Sequence, residues 1–202
     1  MRVVDETDFG FGWVDESGSV PRTSHALLAD GRVWVIDPVL VDGLEGRLRA
    51  LGEPAGVLVL LDRHRRDSGA VGRALGVPVH ETPFDGVPGA PFAFRRIMRN
   101  RAWREVALWW PERRVLVAAD ALGTLGYMAA RGEPLGIHPM LRPRPPRRAL
   151  AGLEPEHVLV GHGEGVHGPE AADALADALA HARRRIPTLV GDGFRAAFGR
   201  LR

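Results

Sequence analysis

The sequence predicts an α/β fold in one domain over residues 1–202, and two kinds of observation indicate it. Short apolar runs alternate with helical segments, as in 57–61, 69–75 and 77–80, a β-α-β pattern typical of parallel strands. A chain of 202 residues that is 45% hydrophobic and 26% charged is also long and apolar enough to bury a sizeable core.

Composition excludes several classes of site. The chain contains no cysteine, so disulfides, thiolate metal ligands and cysteine catalysis are excluded, and any metal needs His, Asp or Glu. The N-terminal residues lack the apolar core of a signal peptide. No run approaches the roughly 18 apolar residues of a membrane span. We therefore expect a cytoplasmic protein that has no membrane partner and acts on a small-molecule substrate, which the sequence does not identify.

The basic residues are unusual because all 27 are arginine, although the net charge is only +2. They cluster at 95–104 and 142–148, which leaves an arginine-rich nucleic-acid binder as an alternative. Arginines that are spread over the surface of a chain without lysine explain the clusters more simply. Nucleic acid is therefore not the expected partner.

The first third of the chain predicts short strands and one helix. Residues 1–20 favour one or two strands, and 24–29 and 32–37 flank Asp30-Gly31, a dipeptide typical of a tight type I′ hairpin turn. Residues 42–51 predict a helix with leucines on one face.

The remaining elements follow from the same patterns. Residues 82–91 and 123–148, rich in Gly and Pro, predict a loop and a mobile loop or lid. Helices are predicted over 169–185 and from Pro187 onwards. The predicted strands are 57–61, 77–80, 92–98, 105–110, 115–119 and 157–160.

Ionisable residues stand at the ends of three of these strands. The run 57–61 leads into Asp62, His64 and Asp67, the run 115–119 into Asp120, and the run 157–160 into His162. Open α/β sheets place their ligands at the carboxyl ends of strands. Three such endings in one chain favour a functional site over charged loops that arose by chance.

The order of these features resembles the metallo-β-lactamase-fold hydrolases over nearly the whole chain. The strand ending in Val35-Ile36-Asp37-Pro38 looks like the one that precedes the metal motif of that family. The stretch after 57–61 stands where the family has T-H-x-H-x-D-H, 115–120 matches the segment of its bridging aspartate, and Gly161-His162-Gly163 matches its late P-G-H-G. The resemblance implies a four-layer α/β/β/α sandwich with its site along one edge of the sheets.

The chain departs from the family at several metal positions. In the central motif only His64 is retained, because Asp62, Arg66 and Asp67 replace the first histidine, the aspartate and the last histidine. Arg101 takes the place of the histidine in the third segment. Asp120 and His162 match the family, and the resemblance therefore implies a degenerate metal site.

By this resemblance, Asp62, His64 and Asp120 line one metal position, and Asp67, Asp120 and His162 line the other. We expect an altered site that holds one divalent ion, with Zn, Mn or Fe as candidates. A metal-activated water would attack an ester, amide or phosphoester, with Asp120 and His64 as the catalytic residues. His138 and His167 are reserve candidates.

The alternative hypothesis is that the protein binds no metal. Because both hypotheses remain, the sequence leaves open whether the protein is an enzyme. In this hypothesis Arg66 and Arg101 neutralise the site carboxylates as guanidinium–carboxylate forks, so that no ion is needed. The protein would then be a non-catalytic relative with a binding or structural role.

Overall fold

Two β-sheets form the centre of the protein in the computed structural model, which describes residues 1–191. The first sheet has six strands in the order β1-β2-β3-β4-β5-β6, antiparallel from β1 to β4 and parallel from β4 to β6. Its strands are β1 (Arg2–Thr7), β2 (Gly10–Asp15), β3 (Arg22–Ala29), β4 (Arg32–Ile36), β5 (Glu53–Val59) and β6 (Val79–Glu81).

The second sheet has five strands in the order β13-β12-β9-β8-β7, in which only β9 and β12 are parallel neighbours. The short strands β10 and β11 pair separately. These strands are β7 (Ala93–Arg99), β8 (Arg104–Trp110), β9 (Val115–Ala118), β10 (Leu122–Gly123), β11 (Gly136–Ile137), β12 (His157–Val160) and β13 (Val166–His167). The helices are α1 (Leu44–Leu51), α2 (Ser68–Leu75), α3 (Arg147–Leu150) and α4 (Glu170–His181).

Alternate residues of β4 divide between two apolar layers. Trp34 lies in the core that contains residues of both sheets, whereas Val35 lies in a second cluster with Leu48 of α1 and Val71 of α2. This division follows from the alternation of side chains along a strand. Helix α4 packs on the other side of the second sheet through residues such as Leu175. The predicted four-layer α/β/β/α sandwich is confirmed.

Several local predictions are also confirmed by the backbone. β3 and β4 form the predicted hairpin, and Asp30 and Gly31 have φ values of 51° and 74°, as a type I′ turn requires. The parallel pairing of β5 with β6 confirms the predicted β-α-β unit. No helix in residues 1–191 is both long enough and apolar enough to cross a membrane.

Most boundaries differ from the prediction by at most two residues, two differ by four, and the segment 123–148 has more structure than expected. β5 begins at Glu53 because that residue pairs with Arg32 of β4, and α4 ends at His181 rather than at residue 185. The segment predicted as an irregular lid contains β11, the start of α3 and the fully buried side chain of Arg142. The helix predicted from Pro187 lies partly outside the described residues.

Candidate metal centre

The two sheets are joined at the edge where β5, β9 and β12 end. β9 and β12 are parallel neighbours, so the residues that follow them leave the second sheet on the same side. The chain leaving β5 pairs with β8, since the Asp62 amide donates to the carbonyl of Arg104 (3.1 Å) and the Val106 amide donates to that of Leu60 (2.9 Å). This pairing brings the end of β5 to the ends of β9 and β12.

His64, Asp120 and His162 meet at this edge. Their ligand atoms all lie within 4.8 Å of one another, and the three side chains are largely buried. The Nε2 atom of His64 is 3.0 Å from Oδ1 of Asp120, and the Nε2 atom of His162 is 3.2 Å from the same oxygen. Each of the three follows a different strand.

Hydrogen bonds on the far side of each imidazole set its orientation. Nδ1 of His64 donates to Oδ2 of Asp37 (3.0 Å), and Nδ1 of His162 donates to the carbonyl of Pro21 (2.7 Å). In the neutral imidazole with its proton on Nδ1, Nε2 is the nitrogen that can bind a metal, and in both histidines it lies beside Oδ1 of Asp120. Metal-binding histidines are held by outer hydrogen bonds of this kind.

The environment of Asp120 fits a bound cation. Its Oδ1 atom is buried and has no hydrogen bond of good geometry among the described residues, although two imidazole nitrogens lie 3.0 and 3.2 Å away. Ligand atoms about 2.1 Å from one tetrahedral ion lie roughly 3.4 Å from each other, close to these separations. Two imidazoles and a carboxylate are also a donor set that catalytic zinc uses. The residues present therefore fit a divalent metal.

The charges around the three residues favour ionised Asp120. Burial raises the pKa of the Asp120 carboxyl, but the imidazoles of His162 and His64 lower that pKa by more, so it lies well below its usual range. Burial lowers the pKa of His64, and the carboxylates of Asp120 and Asp37 outweigh this effect and raise that pKa. The ionised carboxylate is the form of Asp120 that can bind a metal.

Comparisons with solved structures identify the architecture. The DIM-1 metallo-β-lactamase is 15% identical, with a TM-score of 0.61 over 93% of this chain and 97% of that one. FIM-1 from Pseudomonas aeruginosa, a metallo-β-lactamase in its mono-zinc form, is 11% identical, with a TM-score of 0.56 over 91% of this chain and 97% of that one. A metallo-β-lactamase from Erythrobacter litoralis is 11% identical, with a TM-score of 0.55 over 89% and 92%. The chain has the metallo-β-lactamase fold.

Comparisons at the level of sequence give no further relatives. No family model matches the chain, and no curated protein matches it. The low identities show a shared fold and leave the activity open.

Within this metallo-β-lactamase fold, Asp62 and Asp67 stand outside the three-residue cluster. In residues 1–191, His64, Asp120 and His162 are the only group of three that could hold one ion. Oδ2 of Asp67 accepts the Leu40 amide (2.9 Å) at the start of α2. Oδ1 of Asp62 is buried and has no partner among the described residues. The structure thus brings together three of the five predicted ligands.

Arg66 binds carbonyl groups rather than carboxylates. Its Nη1 atom donates to the carbonyls of Thr23 (2.6 Å) and Asp37 (2.8 Å), and its Nη2 atom donates to that of Gly161 (3.1 Å). The guanidinium approaches the Nδ1 side of His64 at 3.4 Å. Desolvation by burial lowers its pKa.

Arg101 is exposed between β7 and β8, and no ion pair in the described part of the chain joins it to the cluster. Neither Arg66 nor Arg101 forms the expected fork on the site carboxylates in residues 1–191.

Glu105 is a residue of the site that sequence reasoning missed. It is fully buried, and its Oε1 atom accepts the amides of Asp120 (3.0 Å) and Ala121 (2.9 Å), while Oε2 accepts the indole N–H of Trp103 (2.6 Å). Burial raises the pKa of Glu105 to about 7, although these donors oppose the shift. The available signal was a lone acid that directly precedes the apolar run 106–110 of β8.

Four side chains surround the cluster on its outer side. Arg63 lies over the Trp103 ring (4.5 Å) with its Nη2 atom 3.7 Å from Oδ2 of Asp120. The rings of Trp103 and His138 are 4.8 Å apart, and the Tyr127 ring lies 6.4 Å from His138 and 6.2 Å from His162. His138, a reserve candidate, therefore lies near the site.

His167, the other reserve candidate, lies away from the cluster. Its Nε2 atom is 2.9 Å from Oδ1 of Asp5, and its Nδ1 atom is 2.9 Å from Nδ1 of His157. These contacts place it beside the N-terminal strand β1.

Gly161 is the position where a small change would disturb the cluster most directly. A Cβ atom there would lie 2.8 Å from the carbonyl oxygen of Ala119 and 2.9 Å from Cε1 of His64. We expect Gly161→Ala to displace the imidazole and to weaken zinc binding by at least about ten-fold, equal to 1.4 kcal/mol. Zinc titration calorimetry measures the effect. Gly46→Ala, in open space on α1, is the control, and equal affinities for the two variants would contradict the expectation.

Proposed function

We propose that this protein is a metal-dependent hydrolase that holds one divalent ion through His64, Asp120 and His162. The observation that carries the proposal is the convergence of the two Nε2 atoms on the buried Oδ1 atom of Asp120, which has no hydrogen bond of good geometry among the described residues. Zinc is the first candidate because two histidines and one carboxylate, with a position left open, form a catalytic zinc set. The mono-zinc form of FIM-1, which shares the fold, supports a single ion. Iron(II) and manganese are the other candidates.

The ion would supply Lewis acidity and lower the pKa of water toward neutrality. Other residues of the chain orient the three ligands. Asp37 and the Pro21 carbonyl fix the Nδ1 protons of His64 and His162, and the Glu105 carboxylate holds the amide of Asp120. The three ligand side chains are therefore held in position before a substrate binds. Such preorganisation lowers the entropic cost of a reaction.

Substrate recognition is proposed for the outer side of the cluster. The Arg63 guanidinium is about half exposed and is placed to donate to an oxygen of an ester, amide or phosphoester. The phenol of Tyr127 stays protonated at neutral pH, since burial raises its pKa to about 12, and it remains a hydrogen-bond donor.

Elemental analysis of protein purified without added metal or chelator tests the metal site. We expect one tightly held ion per chain in the wild type, and less than about a tenth of that in Asp120→Ala and in His162→Ala, since loss of a ligand removes most of the affinity. His181→Ala is the matched control, because that histidine pairs with Asp177 on α4. Equal metal content in the His162 and His181 variants would overturn the site.

A screen of chromogenic carboxylic esters, β-lactams and phosphodiesters tests the activity. We expect the wild type to hydrolyse at least one of these classes. Chelator and the His162→Ala substitution should each abolish this hydrolysis. Zinc, manganese or iron added to the chelator-treated wild type should restore it. If the protein binds metal but hydrolyses none of these classes, the metal site stands and the proposal that the protein is a hydrolase is wrong.

A non-catalytic, metal-free protein is the second candidate, and the buried guanidinium of Arg66 favours it. A fixed cation 3.4 Å from Nδ1 of His64 opposes a second cation on the other side of that ring. Wild-type protein that takes up no zinc, manganese or iron after incubation would support this candidate.

A further inference from the structure

We propose that Arg96, Arg99 and Arg104, gathered around the ring of Phe84, bind the phosphate groups of an anionic ligand at a place separate from the candidate metal centre. The guanidinium carbons lie 5.8, 4.7 and 5.7 Å from the centroid of that ring. Phe84 follows β6 at the edge of the first sheet, and Arg96 and Arg99 lie on β7 at the edge of the second. One ring therefore gathers three cations where the two sheets border each other.

The register of the hairpin makes this arrangement costly without a ligand. Arg99 pairs directly with Arg104 across β7 and β8. Like charges that face each other across antiparallel strands destabilise the pair. The cation–π contacts with Phe84 hold the guanidiniums in place but leave their positive charge uncompensated by a carboxylate.

No acidic residue in the described part of the chain neutralises the three arginines. None of them forms an ion pair in residues 1–191, whereas surface arginines elsewhere do, such as Arg47 with Glu6 and Arg113 with Asp8. Asp85 follows Phe84 in the sequence, but it is exposed and has no ion pair among the described residues. The cluster thus presents hydrogen-bond donors and charge to solvent.

A groove beside the cluster has the size and chemistry for an anion. Its volume is about 650 Å³, and it lies between β7 and the start of α3, with Phe94 and Met98 as apolar lining. Arg96 and Arg99 of the cluster line this groove, and Arg95 and Arg148 add two further guanidiniums to its lining. Guanidinium forks match the oxygens of phosphate, and several closely spaced forks suit a ligand with more than one phosphate.

The alternation of side chains along β8 separates this cluster from the metal centre. Glu105 points to Asp120, so the adjacent Arg104 points to the opposite face of the strand. The proposal is therefore independent of the hydrolase activity.

Titration calorimetry with tripolyphosphate tests the proposal. We expect Arg99→Gln and Arg104→Gln each to weaken binding by roughly ten-fold, as for the loss of one charged hydrogen bond. Arg73→Gln is the matched control, because Arg73 is exposed on α2 and has no ion pair in the described residues. His162→Ala is expected to bind as wild type does, which separates this site from any metal-dependent binding of the probe.

Thermal unfolding gives a second readout. In chloride alone we expect Arg104→Gln to raise Tm, because a like-charge pair is removed. Tripolyphosphate should raise Tm of the wild type by more than that of the variant, since the variant binds it more weakly. Comparison of the affinities for a short oligodeoxythymidylate and for tripolyphosphate shows whether the site prefers the phosphates of a nucleic acid or those of a free compound. Either preference upholds the site. Equal affinities for the Arg99, Arg104 and Arg73 variants, or a polyglutamate peptide that binds as tightly as tripolyphosphate, would overturn it.

Discussion

Replacement of Arg142 by methionine is expected to lower the free energy of unfolding by about 3–5 kcal/mol. The Arg142 side chain is fully buried, and its Nη2 atom donates to Oε2 of Glu133 at 2.5 Å and to the Met128 carbonyl at 2.6 Å. Its Nε atom also donates to the carbonyl of Ile137 (3.0 Å). The variant would leave a buried carboxylate and two carbonyls without these donors. Urea unfolding followed by circular dichroism measures the loss.

Two further variants separate the buried charge from the lost packing. Arg142→Met combined with Glu133→Gln removes the buried carboxylate that has lost Arg142 and keeps only Arg185 as an ion-pair partner (3.1 Å). This double variant is expected to recover part of the loss. Arg113→Met breaks an exposed pair with Asp8 and should cost less than about 1 kcal/mol. A loss for Arg142→Met no larger than that for Arg113→Met would show that this buried pair contributes little.

Replacement of Glu105 by alanine is expected to lower the free energy of unfolding by about 2–4 kcal/mol. The change leaves the amides of Asp120 and Ala121 and the indole N–H of Trp103 without their acceptor inside the protein. Removal of a buried carboxyl offsets part of this cost, since the group itself is desolvated in the folded state. The Asp120 backbone would also lose its anchor, so zinc affinity should fall with the stability.

Glu105→Gln provides the control for this prediction. The amide oxygen can still accept from Asp120 and Ala121, but the amide NH₂ group faces the Trp103 indole donor at the position of Oε2. Trp103→Phe in the same chain removes that donor, so the double variant should be more stable than the sum of the single changes predicts. Strict additivity, measured by urea unfolding of the four proteins, would contradict this geometry.

The sequence by itself determined the local elements and the candidate ligands. Asp30-Gly31 predicted the hairpin because few residues adopt positive φ at both central positions of the turn. Apolar runs ending in Asp120 and His162 predicted the strand ends that meet at the cluster, since periodicity and strand termini are readable from local sequence. The order of these features resembles the metallo-β-lactamase-fold hydrolases, and that resemblance implied the four-layer sandwich.

Only the tertiary structure decided which charged residues share a site. Asp62, His64 and Asp67 lie within six positions of each other in the sequence, yet the turn after β5 directs only His64 to Asp120 and His162. Arg66 was expected to bind carboxylates, but the start of β3 and the residue that follows β12 surround it with carbonyl oxygens.

Glu105 and Arg142 appeared in the sequence as ordinary charged residues, and their burial became visible only in the folded chain. The physical reason is that local sequence encodes backbone conformation and the face of each strand or helix. The partner of a charged side chain depends instead on contacts between elements that are distant in the sequence, as for Glu105 with Asp120 at a separation of 15 residues.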